Sequence, residues 1–328
     1  MLSAEETRSR LAGIPNLTVS TDTPLALYTR FGIGGPADIY AETSDESAFL
    51  AALAALAGGP LPWIAIGGGT NLIVSDDGYR GVVLRFVSAR IDVSGNRVSA
   101  DAGAALPDLV DYTVDRGLAG LETLAGIPGS VGAAVYGNAG AYGHSISERV
   151  VRVRFFDGEQ IREYENSECE FRYRESVFKR RKDWVIFATE LEMIPGDAAE
   201  LRRQAEEIVR VRNQKFPPSM KCAGSVFKNL LAAELPPAVL AEVPPKLVRE
   251  GKVPAAWFLD QVGAKGLKIG RIEVAAYHAN LIFNAGGGVA RDLCRLIRDL
   301  KARVRARFGI ELEEEVQYVG FSAAYTST

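Results

Sequence analysis

Ser225 stands in the run Ala223-Gly-Ser-Val-Phe-Lys-Asn229, directly after a glycine and three residues before a lysine. A serine so placed can be a nucleophile, a proton donor or a turn residue. The nucleophile elbow Gly-x-Ser-x-Gly is not completed, because Phe227 stands where its second glycine belongs. Only His144 and His278 exist to assist a nucleophilic serine, so acyl transfer ranks low and a turn serine is the default. A second group places Arg172, Arg174, Lys179 and Arg180 around Tyr173 and Phe178. The planar fork of arginine matches a carboxylate or phosphate. The alternative is an exposed turn or strand edge with solubilising charge. A third group is Glu311, Glu313, Glu314 and Glu315. Strand alternation puts Glu313 and Glu315 on one face and Glu314 on the other. A carboxyl on a rigid strand can be aimed at a site, although solvated glutamates are the commoner outcome.

Two glycine-rich stretches carry no charge of their own. One is Gly67-Gly-Gly-Thr-Asn-Leu72. The other spans 126–143, with glycine at 126, 129, 132, 137, 140 and 143 and alanine in much of the remainder. This run is too poor in side-chain volume to build a core and too apolar for an ordinary linker. Glycine lets backbone press close to another object, either a strand or a flat ligand. The triglycine turn lacks the Gly-x-Gly-x-x-Gly spacing of dinucleotide folds. It can be a nest of N–H groups for a pyrophosphate, or a plain tight turn.

The flanking pattern supplies elements to hold these groups. Residues 5–12 read as a short helix, 37–41 as a strand, 49–57 as a helix stopped by Gly58-Gly-Pro60, and 62–66 as a buried strand, a small α/β arrangement. Short strands follow at 82–86, 91–93 and 97–100, then a helix at 106–116. Strands at 150–156, 160–164 and 184–193 come next, interrupted by 171–179, which is too polar for a core strand. A helix at 198–213 leads as a hinge into the last part. There, 255–262 reads as a helix, and Leu293, Leu296, Ile297, Leu300, Val304 and Phe308 recur with a clear 3.6-residue period. Its other face, Arg291, Arg295, Arg298, Lys301 and Arg305, reads as solvated. Strands are expected at 278–284 and 312–319.

Bulk properties narrow the class. A chain of 328 residues, 47% apolar and 24% charged, fits a soluble globular protein of two or three domains. A net charge of −3 does not imply a general nucleic-acid surface. Cys169, Cys222 and Cys294 are far apart and odd in number, which fits a reducing compartment and no metal site. Met1-Leu-Ser-Ala-Glu-Glu lacks the basic and apolar regions of a signal peptide, and no apolar run is long enough to span a bilayer. The expectation is a cytoplasmic protein with neither membrane nor nucleic acid as partner.

Taken in order, the motifs form a recognisable set. Thr29-x-Phe-x-Ile-Gly-Gly35, Gly67-Gly-Gly-Thr-Asn-Leu72, Gly126-Ile-Pro-Gly-Ser-Val-Gly-Ala133 and Asn138-Ala-Gly-Ala-Tyr-Gly143 come first. Tyr173-Arg-Glu-Ser-Val-Phe-Lys179, Ala223-Gly-Ser-Val-Phe-Lys-Asn229, the stretch 255–270 with His278-Ala-Asn280, and Leu312-Glu-Glu-Glu-Val316 follow. This set resembles the UDP-N-acetylenolpyruvoylglucosamine reductase family, also called UDP-N-acetylmuramate dehydrogenase or MurB. It lacks a long tyrosine-bearing insertion, as in the shorter, type II branch.

The resemblance implies an α+β fold: a PCMH-type FAD-binding fold of two α+β subdomains, 1–85 and 86–200, followed by a C-terminal α+β domain for the UDP-sugar, 201–328. It implies FAD against Gly67, Gly68, Gly69, Thr70, Asn71, Leu72, Gly126, Ile127, Pro128, Gly129, Ser130, Gly132, Ala133, Asn138, Gly140 and Ala141. It implies substrate contacts from Tyr173, Lys179, Lys228 and Asn229. The reaction implied has two halves: NADPH reduces the flavin, and hydride then passes to the enolpyruvyl double bond of UDP-N-acetylglucosamine enolpyruvate, a step of peptidoglycan precursor synthesis. Ser225 matches the family's proton donor. Arg174 and Glu315 match the pair that binds and polarises the substrate carboxylate, Glu315 acting in its protonated state or by donating a hydrogen bond.

Three positions depart from the family pattern: Thr70 where serine is frequent, Glu314 where proline commonly precedes the catalytic glutamate, and Leu230 where proline often follows Lys-Asn. The competing readings are another PCMH-type flavin oxidoreductase acting on a sugar or lactone, and an inactive nucleotide-sugar binding protein. The first often tethers FAD through a histidine that the N-terminal loops lack. Intact Ser225, Arg174 and Glu315 stand against the second.

Overall fold

In the computed structural model, which describes residues 4–322, the chain packs as two compact units. The first takes Met1–Thr23, Ala37–Gly69 and Tyr79–Gln214; the second takes Pro24–Pro36, Thr70–Gly78 and Lys215–Thr328. Residues 1–3, part of the segment read for a targeting signal, and 323–328, the end of the expected last domain, lie outside the described residues.

The first unit holds a four-stranded sheet in the order Thr18–Pro24, Pro36–Thr43, Tyr79–Phe86, Trp63–Ile66. The last three run parallel, with Ile39 opposite Val82 and Ile64 opposite Val83. The helix Glu46–Leu56 is the crossover from Pro36–Thr43 to Trp63–Ile66, the parallel strands that flank Tyr79–Phe86, and it is capped by the Asp45 side chain on Ala48 N–H. A five-stranded antiparallel sheet follows, ordered Ile161–Glu165, Val150–Phe156, Val185–Glu192, Arg97–Asp101, Ile91–Ser94. The two sheets share one core, in which the rings of Phe49, Phe86 and Phe187 lie 5.4–5.7 Å apart. The edge strand Trp63–Ile66 is half-buried rather than fully buried as its apolar run predicts.

The stretch 126–143 departs most from its reading. Its centre is a helix, Val131–Tyr136, whose Val131, Gly132, Ala134 and Val135 are buried in the core. Glycine serves this packing directly: a Cβ on Gly132 would stand 2.7 Å from the Ala102 methyl. Small residues thus contribute core by close approach of backbone rather than by volume.

The second unit is built on the helix Ala290–Phe308, and every apolar position of its sequence period is buried. Burial of each large side chain there contributes about 1.5–3 kcal/mol. Asp76 caps this helix from a distance, accepting from Ala290 N–H (2.7 Å) and Arg291 N–H (2.9 Å). A carboxylate there satisfies orphan donors and complements the helix dipole. The strand Leu72–Val74 pairs in parallel with Gln317–Val319, and Asn284 donates to Phe31 O at 2.9 Å. These bonds draw 24–36 and 70–78 out of sequence order into the second unit. The helix Ala198–Lys215 buries Leu201 and Ala205, and its Arg202 pairs with Asp111 at 2.6 Å, so the division falls after Gln214 and not at the expected 201. The expected strands 278–284 and 312–319 shorten to Ile282–Asn284 and Gln317–Val319. The residues before each make isolated bridges to other segments instead.

Candidate active site

Three segments of the second unit lie side by side. Ser225 bridges Leu281 on one flank, and Phe227 bridges Glu314 on the other. Glu315 N–H donates to Val226 O at 2.8 Å. Ser225 and Glu315 therefore sit on neighbouring segments, both half-buried. The middle segment is anchored by Val226 and Phe227, 0% and 1% exposed. Asn280 fixes it further: its side-chain oxygen accepts from Phe227 N–H and its amide donates to Phe227 O, each at 2.9 Å. Nothing in the local sequence marks Asn280 for this task.

The glutamate cluster divides by partner. Glu311 pairs with Arg305, and Glu313 with the buried Lys228. Glu314 pairs with Lys301 of the long helix at 3.0 Å. Glu315 is held through its backbone, its carbonyl accepting from the Asn71 amide at 2.9 Å. Lys228 thus has a carboxylate partner, and Asn229 accepts from Ala255 N–H at 3.3 Å, at the start of the helix Ala255–Gln261.

His278 adjoins this arrangement. Its Nδ1 accepts from Asn280 N–H at 3.2 Å, so Nε2 carries the proton of the neutral ring. Burial, aided by the Lys215 charge, pushes its pKa down from 6.5 to about 4. The unfolded chain takes up this proton first, so His278 contributes stability above pH 6.5 that is lost as the pH falls from 6.5 to about 4. His278→Gln is expected to flatten the decline of melting temperature across that window; parallel wild-type and variant profiles would refute the assignment.

Arg174 lies in the first unit. Arg172 and Glu175 exchange backbone hydrogen bonds of 3.0 and 3.1 Å, leaving Tyr173 and Arg174 as the two turn residues. Arg174 has φ +58°, a left-handed conformation that favours glycine. Its guanidinium donates to Gly140 O at 2.9 Å, and Lys179 Nζ donates to Arg174 O at 2.8 Å. A bulky side chain kept at a strained position points to function. Arg174→Gly and Arg174→Ala both remove the guanidinium, and the glycine variant is expected to be the more stable by about 1 kcal/mol. Equal denaturation midpoints would show that the backbone there carries no cost.

The glycine loops meet within the first unit. A Cβ on Gly67 would stand 2.5 Å from Ser130 Oγ, and one on Gly68 3.2 Å from Gly129 Cα. The Ser130 hydroxyl oxygen also accepts from Ala133 N–H at 3.3 Å, capping the helix Val131–Tyr136. The result is a half-buried surface in which the side-chain-free Gly67, Gly68 and Gly129 lie beside Ile127 and Pro128. Such a surface fits a flat, extended group such as FAD. Asn138 is 6% exposed, and its carboxamide donates to Arg172 O (2.9 Å) and accepts from Ser147 N–H (3.3 Å). A groove of ≈ 510 Å³ between the helices Leu106–Val114 and Ala198–Lys215 includes Gly126 but none of the candidate catalytic residues. Among the described residues no group of three or more His, Cys, Asp or Glu could hold a metal, and no helix is long and apolar enough to cross a membrane.

Residues 37–160 match the family described as FAD binding domain, and 216–319 match UDP-N-acetylenolpyruvoylglucosamine reductase, C-terminal domain. The UDP-N-acetylenolpyruvoylglucosamine reductase of Solibacter usitatus is 66% identical over 311 residues, covering 95% of this chain and all of that protein. The chain belongs to the UDP-N-acetylenolpyruvoylglucosamine reductase (MurB) family. The reductase of Rubrobacter xylanophilus is 36% identical over 91% of this chain and 94% of its own. The crystal structure of MurB from Thermus caldophilus superposes with a TM-score of 0.71 at 29% identity, covering 92% of this chain and 98% of that one. The fold is therefore the α+β architecture of MurB, with an FAD-binding domain that includes both glycine loops. These matches do not favour a sugar or lactone oxidase.

Proposed function

We propose that the protein is an NADPH-dependent flavoenzyme of the cytoplasm that reduces the enolpyruvyl group of UDP-N-acetylglucosamine enolpyruvate to UDP-N-acetylmuramate. The observation that carries this reading is the match at 66% identity, over 95% of this chain, to a reductase of that name, in a chain that carries Ser225 and Glu315 on neighbouring segments. The backbone of Gly67 to Gly69 and Ile127 to Ser130 would hold FAD, which supplies hydride chemistry when bound.

The chain's own residues supply the rest. Arg174 offers a guanidinium fork to the substrate carboxylate and stabilises the negative charge that grows there in the transition state. Glu315 offers its carboxyl group to the substrate in this reading. Ser225 delivers a proton from Oγ to the carbon next to the carboxylate. A hydroxyl is a weak acid, but a carbanion at that carbon is a strong base, and positioning lowers the remaining barrier. Tyr173, Lys179, Lys228 and Asn229 flank these groups in sequence and contact substrate in this reading.

An anaerobic titration tests it. The purified protein should be yellow, bleach with NADPH, and recover its flavin absorbance on addition of UDP-N-acetylglucosamine enolpyruvate. A colourless protein, or a reduced flavin that the enolpyruvate leaves bleached, would overturn the reading.

A further inference from the structure

Asn71 and Asn138 both fall in glycine-rich loops whose sequence points to the cofactor, yet the side-chain N–H of each donates to a backbone carbonyl elsewhere in the fold. The Asn71 side-chain amide donates to Glu315 O at 2.9 Å, across 244 positions of sequence, while its backbone carbonyl accepts from Gln317 N–H at 2.9 Å. It thereby fixes the residue that carries the candidate acid, at the point where the Leu72–Val74 and Gln317–Val319 pair begins. Asn138 occupies the same logical place in the first unit. It is buried at φ +44°, a conformation asparagine tolerates better than most residues. Its amide donates to Arg172 O at 2.9 Å, the carbonyl that also closes the Tyr173–Arg174 turn through Glu175 N–H. Two residues on, Gly140 O accepts from the Arg174 guanidinium at 2.9 Å.

We propose that Asn71 and Asn138 are positioning residues for the reaction, Asn71 setting Glu315 and Asn138 setting the Arg174 turn, and are not side-chain ligands of the cofactor. A carboxamide suits this task. It reaches a distant backbone carbonyl with a directional N–H, and it carries no charge to perturb the neighbouring carboxyl or guanidinium. Each asparagine acts on main chain, so it sets where the catalytic side chain starts rather than what it touches. A displacement of about 1 Å at such a group costs on the order of 100-fold in rate.

The inference rests on the proposed reductase reading, and the test separates the two. Asn71→Ala and Asn138→Asp are compared with wild type in the two half-reactions under anaerobic conditions. The aspartate variant keeps the size and the acceptor of Asn138 but replaces its donor with a carboxylate oxygen, so Asn138→Ser, which adds no charge, is measured beside it. These variants are expected to purify with wild-type flavin content and to be reduced by NADPH within about twofold of the wild-type rate. Reoxidation by saturating UDP-N-acetylglucosamine enolpyruvate should fall about 10- to 100-fold, a loss in kcat rather than KM. Loss of flavin or slowed reduction by NADPH, with the second step intact, would make these residues cofactor ligands and overturn the inference. Unchanged rates in both steps would overturn it equally. Should Asn138→Asp fail to fold, Asn138→Ser and the half-buried Asn71 site decide the outcome by the same readings. A wild-type protein that the enolpyruvate fails to reoxidise would instead count against the reductase reading itself.

Discussion

Ser225→Ala is expected to leave reduction of the bound flavin by NADPH near its wild-type rate and to slow reoxidation by UDP-N-acetylglucosamine enolpyruvate about 10²- to 10⁴-fold. That range corresponds to about 2.7–5.5 kcal/mol of barrier. The asymmetry follows from the role assigned to the hydroxyl, which meets the substrate after hydride has been accepted by the enzyme. The fold should not suffer. The segment is pinned by Val226 and Phe227, which are buried, and by backbone bonds to Asn280 and Glu315, none of which uses the serine side chain. Stopped-flow absorbance of the two half-reactions separates the steps. If both ran at wild-type rate, Ser225 would be the turn serine that its position after Gly224 also permits.

Asn280→Ala is expected to cost about 2–6 kcal/mol of stability, the largest single-residue effect we foresee on folding. Its carboxamide serves both the N–H and the C=O of Phe227, in a site where Asn280 is 2% and Phe227 1% exposed. Removing it leaves a buried donor and a buried acceptor without a partner, and each such group costs about 1–3 kcal/mol. Asn280→Asp retains the acceptor for Phe227 N–H but sets a buried carboxylate against Phe227 O, so its loss should be at least as large. Equilibrium urea denaturation gives the ordering. A wild-type midpoint for Asn280→Ala would mean that water replaces the clamp and that the segment bearing Ser225 is held by its other contacts.

Much of this protein is written locally in its sequence. The 3.6-residue recurrence from Leu293 to Phe308 specifies the long helix and its buried face, because a helix places those positions on one stripe. The strands of the antiparallel sheet were legible at 97–100, 150–156 and 184–193 from alternation bounded by turns. The ordered motifs were specific enough to indicate the reductase family, since each records a chemical requirement at one place in the chain.

The run 126–143 was less legible. Its glycines do mark close approach, but at Gly132 the object approached is Ala102 and at Gly67 it is Ser130. Sequence shows that a Cβ is missing and cannot show what occupies the space. The glutamates were ambiguous for a similar reason. Adjacent residues of one type look alike until Lys228 claims Glu313 and Lys301 claims Glu314.

The family, the residue types offered for chemistry and most of the secondary structure are legible before folding, because all follow from motif order or from the geometry of one segment. The long-range bonds came with the fold alone: Asp76 caps a helix 214 positions away, Asn71 bonds Glu315 O, Asn138 bonds Arg172 O beside the Arg174 turn, and Asn280 clamps Phe227. The physical reason is that a carboxamide or carboxylate has no preferred partner within its own segment. It bonds whichever orphan donor or carbonyl the completed fold brings within about 3 Å.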